Sequence, residues 1–102
     1  MGLRIRLEGE RGKRYASVDD PYHLFRRLMK EGDVMHTCCL RFIDPYGNTV
    51  FNRIQMSQLL IELEGLHEFV KSTEQDELLS RIEELAQRCA REPHLYIKIY
   101  GD

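Results

Sequence analysis

Residues 40–56, LRFIDPYGNTVFNRIQM, limit this chain's folding options more than any other stretch, because a turn, a return strand and a helix start can all be derived from them. Asp44 can bond forward to the backbone, Pro45 pre-sets φ for the second position of a type I turn, and Gly47 supplies the left-handed residue that follows. This composition predicts a hairpin loop of about three to five residues between two strands. After a return strand over residues 49–51, Asn52 is an N-cap and Gln55 its capping-box partner, while Phe51 can staple onto Met56. The segment sets architecture and carries no reaction chemistry.

A chain of 102 residues is read as one domain, 1–102, with no room for a separate cofactor domain. No apolar run approaches the roughly 18 residues of a membrane span, and MGLRIRLEGE has no signal-peptide core. Arg6 stands where a myristoylation signal needs Ser or Thr, so a cytoplasmic location without membrane attachment is expected. The three cysteines, Cys38 and Cys39 adjacent and Cys89 distant, make no disulfide framework and are read as reduced thiols. The net charge of −2 divides unevenly, with ten Lys/Arg against seven Asp/Glu up to residue 53 and five against ten beyond it. That is a mild dipole, without the strong basic bias of a dedicated nucleic-acid binder.

Strands and helices alternate along the chain. Leu3, Ile5 and Leu7 interleave with Arg4, Arg6 and Glu8, the period of a strand buried on one face. Gly9 and Gly12 bracket a turn into a second strand over 14–18, and Asp20 with Pro21 starts a helix that presents Leu24, Phe25, Leu28 and Met29 and stops at Gly32. Residues 34–43 are the longest strand expected. From Arg53 a helix carries Leu59, Leu60, Leu63, Leu66 and Val70, with Gly65 either ending or interrupting it. Ser72 or Thr73 caps the next helix, which Pro93 ends, and Leu95, Ile97 and Ile99 alternate with Tyr96, Lys98 and Tyr100 in a last strand. The expected order is ββαββααβ, an α+β two-layer sandwich whose mainly antiparallel or mixed sheet has helices on one face; the shared one-sided pattern of the first and last strands allows them to pair centrally, but the residues leave strand order open.

If the aliphatic residues of the outer strands face the helices, then Arg4, Arg6, Tyr96, Lys98 and Tyr100 share the open face, joined by Arg41 from the long strand. Left unpartnered, such a face is a solvated surface held by cross-strand pairs such as Glu8 with a neighbouring Lys or Arg. As a functional surface it reads first as a protein interface or self-association face, since Tyr and Arg dominate interface energetics. Alternatively, it stacks bases and neutralises phosphates of RNA or single-stranded DNA.

Catalytic, cofactor and metal signatures are absent. The chain has no phosphate-binding glycine loop, dinucleotide fingerprint, H-E-x-x-H or G-x-S-x-G. His36, Cys38, Cys39, Cys89 and His94 lack the paired spacing of a structural zinc site, and His36 is expected buried beside core cysteines. Asp19 and Asp20 read as helix-start residues, and Glu62, Glu64, His67 and Glu68 as an exposed helix face. A small enzyme using His36 or His94 as acid or base is the third reading. The expectation is therefore a non-enzymatic interaction or regulatory module without cofactor or metal.

Overall fold

The computed structural model describes residues 2–101; the ends of the expected 1–102 domain, Met1 and Asp102, lie outside the described residues. Alternation builds the sheet. In β1 (Leu3–Gly9) and β4 (Leu95–Tyr100) every second residue is aliphatic, and Leu3, Ile5, Leu7, Leu95, Ile97 and Ile99 are all buried. Burial of each such side chain contributes on the order of 2 kcal/mol. A tight turn joins β1 to β2 (Arg14–Asp20): the Gly12 N–H donates to Gly9 O at 3.0 Å, and Gly12 takes φ 85. The fourth strand, β3 (Asn48–Phe51), completes an antiparallel sheet in the order β2-β1-β4-β3. The two-layer α+β architecture is as expected, and the strand order, which the residues left open, places the first and last strands side by side at the centre.

Three helices cover one face. α1 (Leu24–Glu31), α2 (Met56–Leu66) and α3 (Thr73–Arg91) form the second layer, with α3 packed across β1, β2 and β4 and flanked by the other two. The Asn52–Gln55 capping box forms as expected, and a single 3-10 turn, Arg53–Gln55, leads into α2. Gly65 lies inside α2, exposed, with nothing within 4 Å of a Cβ added there; it neither ends nor breaks the helix. Ser72 caps α3 by accepting the Gln75 N–H at 3.1 Å, and the chain leaves the helix at Glu92, before Pro93. Among the described residues no helix is long and apolar enough to cross a membrane.

α1 starts later than Asp20 and Pro21 suggest. The chain first turns through His23, which takes φ 60, and the buried Asp20 carboxylate reaches forward to accept the N–H groups of Leu24 at 2.7 Å, Phe25 at 2.9 Å and Arg26 at 3.3 Å. Asp20 therefore caps the helix from outside its first turn.

Residues 34–43 do not form a strand. They fold as two 3-10 turns, Val34–His36 and Leu40–Phe42, so the order is ββαβααβ and the expected hairpin loses its first arm. Between the two turns the chain is held by Glu62, which is buried in α2 and was expected on an exposed face. Its carboxylate accepts the N–H groups of Cys38 at 2.8 Å, Cys39 at 3.1 Å and Leu40 at 2.9 Å, donors that a strand would have given to a neighbour. β3 pairs with β4 instead. The turn before it survives, with the Tyr46 N–H donating to Asp44 Oδ1 at 2.9 Å. Gly47 is not left-handed; a Cβ there would fall 2.5 Å from Asp44 Oδ2, so close approach selects the glycine.

Candidate functional site

The register aligns the open face into rows. Arg4 lies between Asp19 and Tyr100, with Asn48 beyond Tyr100; Arg6 lies between Ser17 and Lys98, with Val50 beyond Lys98; Glu8 lies between Arg14 and Tyr96. Five of the six expected residues, Arg4, Arg6, Tyr96, Lys98 and Tyr100, therefore share this face. A bulge opposite Leu7 and Glu8 turns Tyr15 off it, so that its ring lies 5.9 Å from the Arg88 guanidinium of α3.

Glu8 organises the face. Its carboxylate accepts the Tyr100 hydroxyl proton at 2.6 Å and faces Lys98 Nζ at 3.3 Å. To reach Glu8, the Tyr100 side chain spans the row of Arg6 and Lys98, and Arg6 beneath it is only 8% exposed. Arg6 is held by Asp19, its Nη1 2.6 Å from Oδ1. Asp19 is thus a sheet-face residue, whereas Asp20 next to it caps α1. The hydrogen bond to Glu8, with burial and the Glu8 charge adding to it, raises the Tyr100 phenol above its ordinary pKa against the pull of Arg6 and Arg4. Among the described residues no carboxylate pairs with Arg4, whose guanidinium lies 5.7 Å from the Tyr100 ring centroid. Val50, Arg4, Arg14 and the half-exposed Tyr96 and Tyr100 are what this face offers to a partner.

Arg41 is elsewhere. Because residues 34–43 form no strand, it lies in the turn Leu40–Phe42 on the helix side, lining a groove with Leu3, Arg26, Met29 and Pro45. His36 is exposed rather than buried, beside Asp33 at 3.3 Å. His94 is also exposed, with Nδ1 2.7 Å from Glu10 Oε1. His94 lines an open groove with Asn52, Arg53, Ile54 and Tyr96. The thiols are unbridged, and burial pushes Cys89 up to about 11 and raises Cys39, with Glu62 adding to the effect at Cys39.

A second cluster joins α2 to α3. His67 follows α2 with its side chain 31% exposed; Nε2 lies 2.7 Å from Glu83 Oε1 and Nδ1 3.5 Å from Asp76 Oδ1. The hydrogen bond that the ring makes to the Glu83 carboxylate raises the imidazole pKa; burial opposes it, and the charges of Glu83, Glu64 and Asp76 reinforce it. Helical spacing places Glu64 beside His67, but nothing local in the chain announces Asp76 and Glu83, which arrive by the packing of α3 on α2.

No family model, curated protein or solved structure matches this chain.

Proposed function

We propose that this domain is a non-catalytic, cytoplasmic interaction module that docks an acidic protein surface on its open sheet face, around Arg4, Tyr96, Lys98 and Tyr100. The observation that carries this reading is the pairing pattern. Arg6 is held by Asp19 and Lys98 by Glu8, so the face offers half-exposed tyrosines and the peripheral arginines Arg4 and Arg14 on rigid strands. Rigid aromatic and arginine side chains are the usual anchors of protein interfaces. Phosphate binding, by contrast, draws its affinity from cations that exchange counterions for the nucleic-acid backbone. Among the described residues, Arg4, Arg6, Arg14 and Lys98 against Glu8 and Asp19 leave two excess positive charges on this face, which favours an acidic partner over a second copy of the same face. Three unbridged cysteines suit a reducing compartment.

Native mass spectrometry of the chain recovered from its own host cells tests the proposal. A protein bound in stoichiometric amount should be lost in Arg4→Glu and Tyr96→Ala and retained in Glu84→Lys, which alters an exposed position on α3. Association unchanged by the two sheet-face variants overturns the reading. So does a bound oligonucleotide whose retention falls steeply with salt.

A further inference from the structure

The cluster at the end of α2 has the composition of a cation site. Glu64, His67 and Glu83 each bring one ligand atom within 4.8 Å of the others. They come from two helical segments packed side by side, with Glu64 and His67 one turn apart and Glu83 facing them from α3. We propose that Glu64, His67 and Glu83 bind a first-row divalent metal ion, zinc in the first instance, with Asp76 orienting the imidazole.

Donor chemistry selects the ion. One imidazole nitrogen with two carboxylate oxygens is a borderline set suited to zinc and its neighbours, whereas magnesium and calcium take oxygen ligands. Zinc bonds of about 2.0–2.2 Å require tetrahedral ligands about 3.3 Å apart. Rotation of the exposed Glu64 and half-buried Glu83 carboxylates can supply that contraction. Two carboxylates balance the charge of a dication, and partial exposure leaves the fourth position to water.

Asp76 fills the place that metal-bound histidines usually give to an outer carboxylate. Located on the Nδ1 side of His67, it can accept that N–H and so leave the Nε2 lone pair directed at the ion. Without metal, the same Nε2 faces Glu83 Oε1 at 2.7 Å, where a proton on the ring bridges the two. Metal binding exchanges this proton for the ion and releases it to solvent, so affinity falls as pH falls. The groups facing His67 are Glu64 from α2 and Asp76 and Glu83 from α3.

Isothermal titration of the full chain with zinc chloride, alongside thermal melts, tests the site. One equivalent should bind at neutral pH and raise Tm, binding should weaken at about pH 6, and magnesium and calcium should give no comparable effect. Asp76→Asn should weaken affinity roughly 10- to 100-fold, and His67→Gln or Glu83→Gln should abolish it with the circular dichroism spectrum intact. If His67→Gln does not fold, the imidazole ¹⁵N resonances of the wild-type chain decide: zinc must move His67 Nε2. No binding, binding indifferent to His67→Gln, an unmoved resonance, or equal response to magnesium overturns the proposal and leaves a His67–Glu83 ion pair.

Discussion

Asp20 and Glu62 have the same chemical task at very different range. Each is a buried carboxylate accepting three backbone N–H groups: Asp20 those of Leu24, Phe25 and Arg26, Glu62 those of Cys38, Cys39 and Leu40. Asp20 reaches a few residues forward, and its recipients belong to a helix that would leave those donors unsatisfied anyway. Glu62 reaches back more than twenty residues, and its recipients are held out of the sheet by the contact itself. A local carboxylate decorates a structure the chain already favours; a remote one decides which structure forms.

Substitutions should separate the two roles. The largest effect is expected from Glu62→Ala, which strands amides at Cys39 and Leu40 in the core and should cost about 3 kcal/mol or more, read as a lower urea midpoint. Hydrogen exchange should then show lost protection at 38–40 with β1 and β4 still protected; persisting protection there would remove Glu62 from its role as clamp. Asp20→Ala should cost about 1–2 kcal/mol, the usual loss of a helix cap, with deprotection confined to the start of α1.

Acid should sharpen the contrast. Burial alone would raise the Glu62 pKa, but hydrogen bonds from Leu40, Gln58, Cys38 and Cys39 outweigh it and hold the carboxyl below its ordinary range. A folded-state pKa below the unfolded value means stability fully present above about pH 4.3 and lost as pH falls through the lower folded value. The gap in urea midpoint between wild type and Glu62→Gln should therefore close in acid. For His67 the sign reverses: its raised pKa gives stability present below about pH 6.5 that fades as pH rises through the folded value. In metal-free buffer this fading should be absent in His67→Gln. The smallest effect belongs to the sheet face, where Tyr100 should ionise above the ordinary tyrosine range in an ultraviolet titration and move back toward it in Glu8→Gln.

The same distinction between local and remote separates what was legible in the residues from what was not. Strand alternation in β1 and β4, the Asn52–Gln55 box and the Ser72 cap are all written within a few positions, and each is found where its pattern lies. Five of the six sheet-face residues follow from alternation alone. Arg41 failed because residues 34–43, though apolar enough for a strand, lack a clean period of two and meet Glu62 first. Asp19 on the open face was obscured by its neighbour Asp20, since adjacent carboxylates before a proline resemble a single cap signal. Glu83 beside His67 depends on how two helices pack, which no local spacing encodes.

Central pairing of β1 with β4 also bears on how the chain acquires its fold. Arg4 pairs with Tyr100, so the two middle strands come from opposite ends of the described chain. The hairpin of β1 and β2 can close early, through one short turn. β1 gains its other neighbour only after everything between has been traversed, at an entropic cost for closing a long loop. Such non-local pairing slows folding, and until β4 docks, β1 presents an edge whose backbone N–H and C=O groups have no strand partner.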